Sequence, residues 1–439
     1  MVLLRSGRGR APLALGVAVA LASTGVGVLG HAGQERQVVI RDATVLPVSR
    51  APLPRGSVSF RDGIITAVGA AITADSDALV VDGTDHYVLP GIVDVHSHLG
   101  VSPWPWVPGN SDVNEDGGDP LTPQLRAIDA FDSSDPALRW VAAGGVTTIM
   151  VLPGSANVVG GQGAVMKLRL GRSADEMLFE EAPGVMKMAL GENPKATYGG
   201  RGRMPSTRMG VMALLRDALS QAQGYRARWD AWNAAPEPER GAAPGFDPKL
   251  DALADVLRGE IRVAAHTYRR DEFLALLELS DEFGFELGSF HHAMDAYRLG
   301  PELARRGVGV AVYADAFGRK LEHWEQVPQT AAYLNSLGAL VTLHSDFPFF
   351  AQRLHTEAAK LVRYGGISEG DALKTITLSA ARLIGVDRWV GSLEAGKHAD
   401  IAVYDRHPFD SFARVEKTFV DGELVFDRGR DRAWLERTP

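Results

Sequence analysis

Between Gln37 and Pro90 the apolar residues fall in short runs broken by turn signals. Val38-Val39-Ile40, Ser57-Val58-Ser59-Phe60, Ile64-Ile65-Thr66-Ala67-Val68 and Ala78-Leu79-Val80-Val81 are divided by Arg61-Asp62-Gly63 and Asp82-Gly83. An Asp-Gly pair between apolar runs predicts a hairpin. The same texture returns near the other end, in 399–404, 415–420 and 424–426, with Asp421-Gly422 between the last two. Neither stretch has enough surface to bury alone. Residues 33–90 and 385–439 are therefore expected to form one small β-sandwich from both ends of the chain.

The middle, 91–384, alternates apolar strand-like runs with amphipathic helical ones. Eight candidate strands lie at 92–96, 146–152, 164–170, 185–190, 261–267, 286–292, 308–313 and 340–346, with helical patterns such as 270–283, 295–306 and 356–364 between them. Alternation of this kind predicts an α/β protein with parallel strands and crossover helices. A count of eight favours a closed (β/α)8 TIM barrel. The interval from 190 to 261 is too long for one connection. It holds a basic glycine-rich loop (198–209), a helix near 212–232 and a Pro-rich stretch (235–248), and is read as an insertion over the barrel mouth at about 195–250.

Composition changes this picture in three places. With 46 basic and 54 acidic residues the formal charge is −8, which argues against nucleic acid or an anionic membrane as the main partner. The chain has no cysteine, so disulfides and thiolate metal sites are excluded, and any metal must be held by His, carboxylate or something less usual. Arg5, Arg8 and Arg10 precede an apolar run over 11–30. Small residues follow at cleavage spacing, so 1–32 is expected to be a signal peptide and the mature protein secreted or periplasmic.

Candidate chemistry collects at the ends of the predicted strands. His96 and His98 in Val93-Asp94-Val95-His96-Ser97-His98 are two apart and project to the same side of a strand, toward the lumen near its end. Lys187 sits among apolar residues in Gly184-Val185-Met186-Lys187-Met188-Ala189-Leu190. Burial lowers a lysine pKa, and the neutral amine can take up carbon dioxide as a carbamate able to bridge two metals; the pattern fits a lysine snorkelling to the surface equally well. His266, His292 and Asp346 each end a later strand, though alone a histidine there is more often a packing residue and an aspartate more often a helix cap. A barrel enzyme assembles its active site on that face. His344, two before Asp346, is a candidate substrate contact. Tyr198, Arg203, Arg208 and Lys167 are candidates to meet a substrate carboxylate, Arg being suited to bidentate pairing. Asp94 is expected to orient the first-strand turn, His291 to point away from His292 in a structural role, and His323 to be a surface or packing residue.

The run Leu89-Pro90-Gly91-Ile92-Val93-Asp94-Val95-His96-Ser97-His98-Leu99 resembles the amidohydrolase superfamily, in particular its imidazolonepropionase-like and Xaa-Pro-dipeptidase-like branch. So do Gly144-Gly145-Val146-Thr147-Thr148, Leu152-Pro153-Gly154-Ser155, the Ser345-Asp346 pair and Gly391-Ser392-Leu393-Glu394-Ala395-Gly396-Lys397-His398-Ala399-Asp400. The resemblance implies that His96 and His98 bind a first divalent metal and His266 and His292 a second. It implies that carboxylated Lys187 bridges them, and that Asp346 binds the first and acts as catalytic base. Zinc suits such ligands best, with manganese, iron or cobalt as alternatives. The implied reaction is hydrolysis of a C–N bond of a small amide or dipeptide by metal-activated water, dipeptidase-like or on a cyclic amide. A lactone or ester hydrolase on the same site is an alternative, and a non-catalytic binding or scaffold homologue a more distant one. The expected partner is a small-molecule substrate, with no nucleic acid, no membrane after signal cleavage, and homo-oligomerisation left open.

Overall fold

A computed structural model describes residues 36–113, 118–316, 318 and 320–436; the expected signal peptide lies outside the described residues. Five strands precede the barrel: Val38–Val45 (β1), Leu53–Arg61 (β2), Ile64–Gly69 (β3), Leu79–Asp82 (β4) and Tyr87–Pro90 (β5). Eight follow: Ile92–Ser97 (β6), Val146–Val151 (β7), Val159–Lys167 (β8), Gly184–Ala189 (β9), Ile261–Thr267 (β10), Leu287–His292 (β11), Gly309–Val312 (β12) and Val341–Leu343 (β13). Three more, Ile401–Tyr404 (β14), Val415–Val420 (β15) and Glu423–Asp427 (β16), return to the first group.

The two terminal groups form one sheet in the order β16-β15-β14-β5-β1-β2-β3, with β4 beside β1. Two of the Asp-Gly signals close hairpins. Asp62 and Gly63 take φ 49° and 77°, and Asp421 and Gly422 take 48° and 74°, the double left-handed turn that matches strand twist. Asp82-Gly83 does not close a hairpin: β4 and β5 both lie parallel to β1, on successive parts of its length. Phe60 on β2 and Phe419 on β15 have ring centroids 5.3 Å apart. In a flat sheet these strands, four places apart, would be separated by about 19 Å at ~4.8 Å per strand. The sheet is therefore rolled, and Ile65 N–H donates to the Lys397 carbonyl at 2.8 Å across the roll. The expected two-layer sandwich is a single continuous sheet folded over its own core. Ile401 and Val403 face that core, while Ala402 and Tyr404 on the other face pack on the barrel residues Ala143, Leu373 and Leu378. Phe60→Ala should cost about 3–5 kcal/mol of stability. A double-mutant cycle with Phe419→Ala should give a coupling of about 0.5–1.5 kcal/mol, whereas a flat sheet would give none; denaturant unfolding measures both.

The barrel sheet runs β13-β12-β11-β10-β9-β8-β7-β6. Its ends are brought together by hydrogen bonds beyond the strands. Asp346 N–H donates to the His96 carbonyl at 2.9 Å, and Ser345 donates through N–H, at 3.1 Å, and through its hydroxyl to buried Asp94. Asp94 thus ties the last strand to the first. The regular (β/α)8 pattern fails at β8, which pairs antiparallel with both β7 and β9. Residues 152–158 are too few for the crossover that a parallel return needs, so the chain doubles back. Reversal also sends Lys167, at the C-terminal end of β8, to the rim opposite the site. There its ammonium is buried against Asp400 at 2.9 Å and against Asp421; it is a joint to the terminal sheet, not a substrate contact.

The insertion after β9 consists of helices Glu192–Gly199, Arg208–Ala234 and Pro248–Arg258. The last begins on an Asp247 cap and Pro248 and ends on left-handed Gly259, both expected helix-terminus signals. Among the described residues no helix is long and apolar enough to cross a membrane.

Candidate metal centre

Strand alternation aims Lys187 of β9 and Ala264 of β10 side by side, in register, with His266 one step further along the same face. Lys187 is fully buried. Its ammonium lies 3.4 Å from His96 Nε2 and donates to the Pro153 carbonyl at 3.2 Å. His96 Nε2 and His98 Nε2 are 3.6 and 3.3 Å from the same oxygen, Oδ1 of Asp346. The His292 ring centroid is 4.7 Å from that of His96 and 4.5 Å from that of His266. Four imidazoles, the lysine and the aspartate thus meet at one rim.

Two of these side chains reach the rim by leaving their strands. His292 has φ 67° and Asp346 φ 62°, left-handed values that cost a non-glycine residue about 1–3 kcal/mol and concentrate at functional sites. The bend at His292 explains why two consecutive histidines are both inside. His291 keeps the strand alternation and points into the lumen beneath the rim, contrary to the expectation that it faces away. His292 turns over the top.

Hydrogen bonds set the tautomers. His98 Nδ1 donates to the Leu152 carbonyl at 2.8 Å, which turns Nε2 toward Asp346. His96 Nδ1 and His291 Nδ1 are 2.9 Å apart, and His291 Nε2 is 2.8 Å from the Ser289 hydroxyl. With His291 Nε2 protonated and donating to Ser289, His96 Nδ1 carries the proton of the shared contact and its Nε2 is free. Ser155 holds His266 Nδ1 at 2.8 Å.

Burial is the largest single influence on each of these groups, and in all but Asp346 it sets the direction of the shift. It holds His96, His266 and His292 well below the usual imidazole value, with the Lys187 charge adding to the effect. Lys187 is brought down to about 7 by desolvation, partly opposed by Asp346. Burial pushes Asp346 upward too, but His98, His344 and the Tyr313 hydroxyl, donating to Oδ2 at 2.5 Å, outweigh it and keep the carboxyl well below its ordinary range. His96, His266 and His292 are therefore neutral imidazoles, set beside an easily deprotonated amine and an ionised carboxylate. His266 Nε2, His292 Nδ1 and both nitrogens of His344 are buried without a hydrogen-bond partner. Such orphaned atoms are costly, and divalent cations among these donors would satisfy them.

The rim opens into a cleft of about 320 Å³, the size of a small-molecule site. Sequence reasoning missed part of its wall. His323, expected at the surface or in packing, is buried on the Tyr268 ring at 4.9 Å between centroids and lines the cleft with Tyr268, Tyr313, Lys320 and Asn193. These residues come from connections after β9, β10 and β12, where no spacing rule marks them. The expected substrate contacts of the insertion are placed elsewhere. Tyr198 is buried, its hydroxyl bonded to Asn157 Oδ1 at 2.6 Å and the Asp119 carbonyl at 2.8 Å. Arg203 is exposed, its guanidinium 5.9 Å from the Tyr198 ring. Arg208 turns to Glu272 at 2.9 Å and to Glu322, because two buried carboxylates attract it more strongly than solvent holds it. None of the three lines the cleft. His344 is buried 4.3 Å from Tyr313 and 4.8 Å from His292, ring to ring, beneath the cleft rather than in its wall.

Residues 293–426 match the model of the Amidohydrolase family. The chain is similar to the crystal structure of an amidohydrolase from Thermotoga maritima MSB8, at 37% identity and TM-score 0.83, covering 89% of this chain and all of that one. It is 36% identical to amidohydrolase tasK of Hapsidospora irregularis over 85% of its own length, but spans only 40% of that protein. It is also 24% identical to an imidazolonepropionase of Symbiobacterium thermophilum, over 91% of this chain and 95% of the other.

Proposed function

This chain belongs to the amidohydrolase superfamily, in its imidazolonepropionase-like branch, and from that premise we propose that it hydrolyses an amide or peptide C–N bond of a small substrate at a site for two divalent metal ions. One observation carries the proposal: His96, His98, His266, His292, Lys187 and Asp346 converge at a single rim, where His266 Nε2 and His292 Nδ1 are buried without a partner. His96, His98 and Asp346 would hold one ion, His266 and His292 the other, with carboxylated Lys187 between them. Bound ions of this kind polarise the scissile carbonyl and bring the pKa of water toward ~7.

The chain's own residues do the rest. Asp346, ionised and oriented by Tyr313, accepts the proton of the attacking water and passes it to the departing nitrogen, which leaves poorly unless protonated. His98 is held by Leu152 and His266 by Ser155, so little reorganisation is needed when substrate arrives. The cleft's small volume favours small substrates over long peptides.

The test is reconstitution. Chelated protein given Zn²⁺ and bicarbonate should recover about two ions per chain, by elemental analysis, together with activity on a panel of N-acyl amino acids, dipeptides, cyclic amides and lactones. Metal uptake without turnover of any C–N substrate would refute the proposal. The rate of recovery has an expected pH dependence, because only the neutral amine of Lys187 takes up CO₂. With its pKa near 7, the neutral fraction rises about tenfold from pH 6 to pH 8 and then levels, whereas an ordinary lysine at ~10.4 would still be climbing steeply at pH 9. Recovery at fixed dissolved CO₂ should follow the first curve.

A further inference from the structure

Among the described residues that line the cleft, Lys320 is the one lysine or arginine; burial lowers its pKa and the neighbouring Glu192 opposes that shift. Its ammonium is 2.6 Å from Asn193 Oδ1 and 3.3 Å from Glu192 Oε1, and it stands 4.3 Å from the centroid of the Tyr268 ring. Asn193 Oδ1 accepts one of its three N–H donors and Glu192 stands beside it as an ion-pair partner, while the side chain itself lines the cleft. Tyr268 in turn lies 4.6 Å, ring to ring, from His266 and 5.5 Å from His292. The ammonium is therefore one tyrosine ring away from the histidines of the proposed second ion. His323, packed on the same tyrosine, adds an imidazole to that wall.

We propose that Lys320 binds a free carboxylate of the substrate, lying one or two carbons beyond the scissile C–N bond, so that the substrates are N-acyl amino acids or dipeptides with an ionised C-terminus. The proposal rests on the hydrolase reading above and narrows it. Glu192 partly offsets the lysine charge, but it does not line the cleft, so a ligand there meets the ammonium and not the carboxylate. The Tyr268 face shields the contact from water, which strengthens a charge-assisted hydrogen bond. The tyrosine separates this point from the rim and leaves room for an amide between the two. A neutral cyclic amide or a lactone has nothing to offer Lys320.

The experiment compares N-acetyl-glycine, -leucine, -phenylalanine and -proline with their carboxamides on metal-loaded protein, by kcat/KM and by calorimetric binding. The wild type should prefer at least one carboxylate over its amide. In Lys320→Met that preference should fall about 30-fold, the size expected for one charge-assisted hydrogen bond, and Lys320→Arg should keep most of it. Metal content and melting temperature verify that each variant folds and loads. Equal loss on carboxylate and carboxamide in Lys320→Met, or no carboxylate preference in the wild type, overturns the proposal. Binding separates this failure from that of the hydrolase reading. Carboxylates that bind through Lys320 but are never cleaved preserve the subsite and refute the hydrolysis; cleavage without carboxylate preference does the reverse.

Discussion

Lys187→Ala should strip the protein of most of its bound metal and lower kcat/KM by about 10³-fold, roughly 4 kcal/mol of transition-state stabilisation. The reason is geometric as much as chemical. Lys187 is fully buried among His96, Pro153 and the neighbouring strands, and no described carboxylate other than Asp346 shares the metal-ligand grouping of His96 and His98. Without the carbamate, two cations would face four neutral imidazoles and one carboxylate, too little negative charge to hold both close together. Acetate or propionate can occupy the vacated space and should restore part of the metal and activity, whereas methylamine should not. Elemental analysis and single-substrate kinetics on the same preparations decide it. A variant that keeps its full metal content and turnover would assign Lys187 a packing role and exclude the bridging carbamate.

The second large effect belongs to Asp346. Asp346→Asn should lower kcat by about 10²–10⁴-fold, the range for loss of a general acid–base group, while KM changes far less. Asn keeps the shape and one carbonyl oxygen, which can face His98 or accept from Tyr313 but does not replace both carboxylate oxygens, and it cannot take a proton from water. At most one ion should be lost, since His266 and His292 are untouched. If kcat survived within a factor of about ten, proton transfer would have to run through another group; His344, buried beside Tyr313, would be the first to examine.

How far the chain's pattern reached is clearest strand by strand. Seven of the eight barrel strands coincide, within a few residues, with apolar runs between helical patterns, because a strand buried on both faces must be apolar nearly throughout. β8 was found as a strand but not as a reversed one; direction is set by the connection before it, and an apolar run reads the same both ways. The terminal strands were legible from Asp-Gly turns. Their union into one small β unit was expected as well; that the unit is a single rolled sheet rather than two layers was not, since the contact of Phe60 with Phe419 joins residues from opposite ends of the sequence.

Local sequence by itself singled out His96, His98 and Lys187 as candidates for metal-binding chemistry, and the family resemblance added His266, His292 and Asp346. Histidines two apart at a strand end, and a lysine where only apolar residues belong, are unusual enough to mark themselves. Tertiary structure alone decided what surrounds them. His291 lies inside by strand alternation and His292 joins it only because its backbone bends at positive φ, Arg208 is taken up by Glu272 and Glu322, and Lys320 and His323 reach the cleft from a loop after β12. Periodicity governs the direction of a side chain within one element. The partners a loop residue finds depend on elements distant in the chain, and no local pattern encodes that.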